Sequence, residues 1–197
     1  MRDFPFFSSP VRRLLLALPL LAACSPGGGD AVDSATAKNE QRISTDDVTK
    51  KQKADAEFLV KATSNALLQV ELSKLAQARG GLPAVRTYGA QLLPNRLELL
   101  AALRALATAK KLAVPPALGE DEQAAYHEVS TQTGPELDRH LVALLVKTQK
   151  QDEDAFDDMK DDAYDGDIRG FAAKYHSPVQ AQLDGAKEVA DAVEKLP

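Results

Sequence analysis

The chain has 197 residues, with 24 Lys and Arg against 29 Asp and Glu, three His, one Cys and no Trp. That length suits one domain, or one domain with a tail, and a net charge of −5 argues against a nucleic-acid binder, which shows a basic face. A single Cys excludes an intrachain disulfide framework and any Cys-based zinc or iron–sulfur site, while 44% hydrophobic residues suffice for a globular core.

Residues 1–23 read as a signal peptide. Arg12 and Arg13 precede an apolar run from Leu14 to Ala23, too short to span a bilayer as a helix. The run ends Leu21-Ala22-Ala23-Cys24, which resembles the bacterial lipobox, where the Cys is lipidated and becomes the new N-terminus. The alternative is a plain secretory signal with an incidental Cys. An unpaired Cys in an oxidising compartment is a liability unless modified, and three acyl chains exceed the two-signal threshold for stable anchoring. Ser25 follows the Cys, not the Asp that tends to hold such proteins at the inner membrane. The resemblance therefore implies an anchor in the outer membrane, facing the periplasm. The arginine pair also resembles a twin-arginine signal, but its flanking residues fit that poorly. Residues 1–23 hold three Arg, one Asp and three Phe, so cleavage takes the net charge to −7 and leaves few rings for stacking on sugars or bases.

Residues 24–53 are Cys24 followed by small and charged residues with hardly an apolar side chain. Such a segment cannot bury enough surface to offset its ordering entropy, and it reads as a flexible, disordered tether with a reach of roughly 30 Å. From Ala54 to the end at 197 the apolar period is helical, and no sustained alternation or hairpin signal appears. The first helix is expected over about 54–79, closed by Gly80-Gly81 in a left-handed cap. Pro83 opens a second that runs to about Leu112, with a kink expected at Pro94. A short helix at about 120–132 is acidic at its start, as the helix dipole prefers. Long helices at about 135–164 and 167–195 follow, the last interrupted by Pro178. Four long amphipathic helices with short joints predict an all-α four-helix bundle with an extra short helix, large enough to fold alone.

This part of the chain resembles a family of exported bacterial proteins with a ferritin-like four-helix bundle, catalogued as a domain of unknown function and often labelled as outer-membrane proteins. The resemblance lies in Val70-Glu71-Leu72-Ser73-Lys74-Leu75-Ala76, in Val85-Arg86, Tyr88, the run Leu103 to Lys111 and Pro115, in Leu137-Asp138-Arg139, and in Phe171-Ala172-Ala173-Lys174. It covers most of residues 55–190, through order and spacing rather than any one specific motif. The family commonly carries an Asp-His pair in the second helix, another in the fourth and a late His in the last. Here those positions hold Asn95-Arg96, Thr148-Gln149 and Gln182. If the histidines bind metal in relatives, the resemblance implies that this chain has lost the site.

The residues themselves offer little metal or catalytic chemistry. A di-iron site of this fold needs Glu-x-x-His pairs, and no Glu has a His three residues on. Glu136 and His140, four apart, read as a surface pair on a first turn; His127 and His176 show no carboxylate or Cys at ligand spacing. Residues 152–167 hold nine Asp or Glu among sixteen, but an EF-hand starting at Asp161 would need ligands where Ala163 and Ala172 stand. No phosphate-binding Gly-rich loop and no Gly-x-Ser-x-Gly elbow occur. Asp152 is different, because it lies on the apolar stripe of its helix, and Asn95 or Arg96 and Gln182 interrupt two other stripes. A buried charge needs a partner. A buried polar network of Glu71, Asn95, Arg96, Gln149, Asp152 and Gln182 is therefore expected, with Arg96 paired to Glu71 or Asp152; alternatively Arg96 snorkels to solvent near Pro94.

The expectation is a non-enzymatic, lipid-anchored periplasmic bundle with a structural or interaction role in the cell envelope. It needs no cofactor and no resident metal, binds the membrane through Cys24, contacts no nucleic acid and has an envelope protein as its possible partner. The rival is a metal- or small-ligand-binding bundle, a sensor or store with a degenerate ferritin-like site.

Overall fold

A computed structural model of the chain describes residues 30–45 and 50–195. The signal peptide, Cys24 and the start of the expected tether lie outside the described residues. Among those described there are six helices: α1 (Ala31–Thr45), α2 (Lys50–Arg79), α3 (Pro83–Ala109), α4 (Glu120–Ser130), α5 (Gly134–Asp162) and α6 (Gly166–Val193). None is long and apolar enough to cross a membrane.

Helices α2, α3, α6 and α5 form the bundle, in that order around the ring. Short joints make α2–α3 and α5–α6 antiparallel hairpins. Residues 110–133, which include α4, carry the chain from the end of α3 back to the opposite end of the bundle, so the topology has one long crossover. The interior is two apolar blocks. One gathers Leu72, Leu75, Tyr88, Leu92, Leu137, Leu141 and Leu145, roofed by Val129 of α4. The other gathers Phe58, Leu59, Leu99, Leu103, Phe156, Ile168 and Tyr175. Its aromatic centre is an edge-on Phe58–Phe156 pair with centroids 5.1 Å apart.

The two hairpins are related by a shift of 83 residues, the separation of Gln69 and Asp152, which face each other across the bundle. The shift carries the end of α2 onto the end of α5 and the start of α3 onto the start of α6. It also carries one capping device onto another. Asp138 accepts the backbone N–H groups of Gly81 (2.9 Å) and Leu82 (2.7 Å). Asp55 accepts those of Tyr164 (3.0 Å) and Asp165 (2.8 Å). Each hairpin turn is thus tied down by a buried carboxylate on the long helix of the other hairpin.

The structure corrects the expected tether. Residues 31–45 form α1, packed on α2, and α2 begins at Lys50 rather than Ala54. Three inward residues one turn apart, Ala35, Asn39 and Ile43, are buried. Asn39 accepts from Ala113 N (2.7 Å) and donates to Ala113 O (2.8 Å), and Arg42 donates to the carbonyls of Lys110 (3.0 Å) and Lys111. Hydrogen bonds to the crossover offset the ordering entropy that the sparse apolar side chains alone could not. The Gly80-Gly81 expectation holds in place but not in mechanism, since neither residue has positive φ. A Cβ on Gly80 would lie 2.6 Å from Ala76 O, and one on Gly81 would lie 3.1 Å from the Asp138 carboxylate. Close approach, not a left-handed cap, requires glycine there. The left-handed residue falls instead on Lys111, with φ 56°, just past α3.

Candidate functional site

Between the apolar blocks lies a polar layer built by α2, α3 and α5. Asp152 on α5 is 1% exposed and Arg96 on α3 is 0% exposed. Arg96 Nη1 donates to Asp152 Oδ2 at 3.0 Å. Gln69 Nε2 donates to the same oxygen at 2.9 Å, and Asn65 Nδ2 donates to Oδ1 at 2.9 Å. Three donors, one of them charged, therefore hold the carboxylate. Burial pushes the Asp152 carboxyl above the usual range and the Arg96 guanidinium below its own, and their mutual attraction opposes both shifts. Guanidinium does not lose its proton in proteins, so the unit is a buried ion pair.

Beside it stands Tyr88, whose hydroxyl lies 2.9 Å from Gln149 Oε1 and 2.7 Å from the backbone carbonyl of Gln182. Burial pushes its pKa up to about 12, so the phenol stays neutral. It has one hydrogen and two acceptors. Turning over the Gln149 amide resolves the competition: Nε2 then donates to Tyr88, and Tyr88 donates to Gln182. Arg96 Nε and Nη2, the second amide atom of Gln149, Gln69 Oε1 and the Gln182 side-chain oxygen are buried with no protein partner. That is a concentration of unspent hydrogen-bonding capacity at one level of the bundle.

Of the six expected network residues, Arg96 and Asp152 form the core of this layer. Gln149 joins it through Tyr88, and Gln182 joins through its backbone. Glu71 and Asn95 do not. Glu71 pairs with Lys74 at 2.7 Å on the surface, because two residues of helix turn it to the far side from Gln69. Asn95, one residue from Arg96, is exposed and donates to Gln91 O. Arg96 does not snorkel. Asn65, Gln69 and Tyr88 are site residues that the sequence reading did not single out.

A groove of about 640 Å³ runs over this layer between α3 and α6. Tyr88, Gln91 and Asn95 line it from α3, and Pro178, Gln182 and Glu188 from α6. Gly185 lets the Tyr88 ring approach α6, where a Cβ would stand 3.1 Å from Tyr88 Cε2.

The acidic stretch is largely paired off. Lys150 pairs with Glu153 (2.8 Å) and Asp154, Lys160 with Asp157 and Asp161, and Lys110 with Asp165 (2.7 Å) and Asp167 (2.6 Å). Asp165 also caps α6, accepting from Asp167 N and Ile168 N. His140 stands 3.8 Å from Glu136 on the surface. His176 differs from expectation: it faces Asp157 (3.1 Å) and Glu153 (3.8 Å), which reach it from α5, not from its own helix. Among the described residues no group of three or more His, Cys, Asp or Glu is placed to hold a metal ion.

Residues 40–189 match the family described as Domain of unknown function (DUF4142), and the chain belongs to that family. No curated protein matches it, and no solved structure matches it.

Proposed function

We propose that this member of the DUF4142 family is a lipoprotein of the bacterial cell envelope, anchored in the outer membrane through acylated Cys24 and facing the periplasm. Its bundle is a structural or interaction module, not an enzyme. The observation that carries the second statement is the state of the bundle's centre. Its one carboxylate, Asp152, is spent on Arg96, Gln69 and Asn65. The other interior carboxylates, Asp55 and Asp138, are spent on backbone N–H groups. Among the described residues, none of these three buried carboxylates is left free to ligate a metal or move a proton. The first statement rests on the Leu21-Ala22-Ala23-Cys24 sequence behind its apolar run. The test is intact-mass analysis of protein from the membrane fraction, with metal analysis of the same sample. A diacylated or triacylated Cys24 at the N-terminus without stoichiometric iron, copper or zinc is expected. An unmodified Cys24 refutes the anchor, and a stoichiometric metal refutes the assignment of the bundle.

A second reading, favoured by the α3–α6 groove, is a small-ligand carrier. The groove offers the Tyr88 oxygen and Gln182 at its floor, carries one carboxylate, Glu188, and no cation. That lining suits a small molecule rich in hydrogen-bond donors. Thermal-shift titration with diaminoalkanes against dicarboxylates distinguishes it, stabilisation by the diamines alone being the supporting result.

A further inference from the structure

We infer that the bundle is held flat against the lipid surface by its α1 flank and does not stand off from the membrane on a long tether. The inference rests on the proposed acylation of Cys24 and goes on to orientation and height.

The first described residue, Asp30, is fixed to the body. Its carboxylate caps α1 by accepting from Val32 N at 2.9 Å. A Cβ added at Gly119, at the start of α4, would lie 2.5 Å from Asp30 Oδ1, so Asp30 abuts the crossover. Asn39 and Arg42 then bind α1 to the crossover at Ala113, Lys110 and Lys111. Only six peptide links separate Cys24 from Asp30. Whatever their conformation, six links reach roughly 20 Å at most. A tether through residue 53 would have given a typical reach of roughly 30 Å and a far longer maximum.

The exit point sets the orientation. Arg42 marks the end of the bundle where α3 finishes, since it binds the carbonyls of Lys110 and Lys111. Asp30 lies twelve residues up α1 from Arg42, about 18 Å along the helix. The 27 residues of α3 span about 40 Å. The chain therefore leaves the body near mid-height on its flank. For the bundle to stand on end, the six links would have to be almost fully stretched, with the loss of nearly all their conformational freedom. Lying on the α1 flank requires much less than that full reach. A partner of the head is then a membrane-embedded or membrane-surface component, within reach of the leaflet that carries the acyl chains.

The test uses the acylated full chain in phospholipid vesicles with nitroxide-labelled headgroups. Acylation leaves no free thiol, so one introduced Cys labels one site. Lys38→Cys places a fluorophore on the exposed face of α1, and Lys187→Cys places one on α6, across the bundle from α2. Headgroup quenching several-fold stronger at position 38 than at position 187 is expected. A Gly/Ser insert of about 24 residues after Gly29 should bring the two close to equal by lengthening the reach. Equal, weak quenching at both positions without the insert overturns the inference while leaving the anchor intact. A mature chain whose mass shows no acyl group, or vesicle binding that survives Cys24→Ala, refutes the anchor and the inference together.

Discussion

Replacing Arg96 by Met removes a guanidinium of 0% exposure and keeps most of the side chain's apolar volume. What remains is Asp152, still buried and still bonded by Asn65 and Gln69, but with no countercharge. Breaking a buried ion pair on one side costs about 3–5 kcal/mol. In a domain of this size that is a fall in Tm of roughly 10 °C. The pH dependence identifies the cause. Burial already pushes the Asp152 carboxyl above its ordinary value, and Arg96 is the chief opposing influence. Without Arg96 the folded-state pKa rises further above the unfolded value. The folded variant then binds a proton that the unfolded chain releases, so its stability falls as pH rises through that window and recovers as pH falls. Chemical denaturation of both proteins from pH 7 down to pH 4.5 should show the variant's deficit shrinking. Adding Asp152→Leu should restore stability to within about 2 kcal/mol of the parent, the residual coming from the stranded Gln69 amide. A single variant that loses less than about 1 kcal/mol, with a deficit flat in pH, would refute the account of the layer as a buried ion pair.

Other expectations follow from single contacts. Lys111→Gly relieves the left-handed φ of 56° and should raise stability by about 0.5–1 kcal/mol in urea denaturation. Asp138→Ala strands the N–H groups of Gly81 and Leu82 and should cost about 2–4 kcal/mol; Asp55→Ala, which strands those of Tyr164 and Asp165, should cost a similar amount. Asn39→Ala should release α1 from Ala113, seen as fast amide exchange over residues 31–45 while α2 and α5 stay protected.

The bundle helices were legible because period and punctuation agree. Leucines and valines recur each turn, and Gly80-Gly81, Pro115-Pro116 and Gly134-Pro135 break the runs. Arg96 and Asp152 were legible as a pair because each stands on an apolar stripe where water cannot satisfy it. Glu71 and Asn95 were misplaced because a stripe read from sequence is broad, and one or two residues turn a side chain by 100–200°. Helix α1 is not legible in the sequence because its docking residue is a polar one, Asn39, and its acceptor lies on a distant loop. The partners of His176 are not legible in its own helix, because Asp157 and Glu153 reach it from α5. The groove depends on how far α3 stands from α6, and that spacing has no signature in either helix alone.

The internal two-fold bears on why the polar layer exists. At the hairpin turns the halves use the same device, with Asp55 matching Asp138 and backbone amides matching backbone amides. At the centre they are not. The 83-residue shift that relates the hairpins takes Arg96 to Val179, Gln149 to Ala66 and Gln182 to Leu99. Those three counterparts are buried and apolar. The same backbone, one hairpin over, therefore packs without charge or amide at these positions, and the fold does not require them. A buried pair is a weak source of stability and a strong constraint on which helices meet and in what register. With one Arg and one Asp, the two hairpins cease to be interchangeable: α3 must lie over α5's Asp152, and the α3–α6 groove gains a floor that differs between its walls. If the pair serves that specificity, the Arg96→Met, Asp152→Leu double variant, within about 2 kcal/mol of the parent in stability, will show broader amide resonances around Tyr88 and Gln182. Resonances as sharp as the parent's at that stability would mean that the layer does not maintain register and is kept for what binds over it.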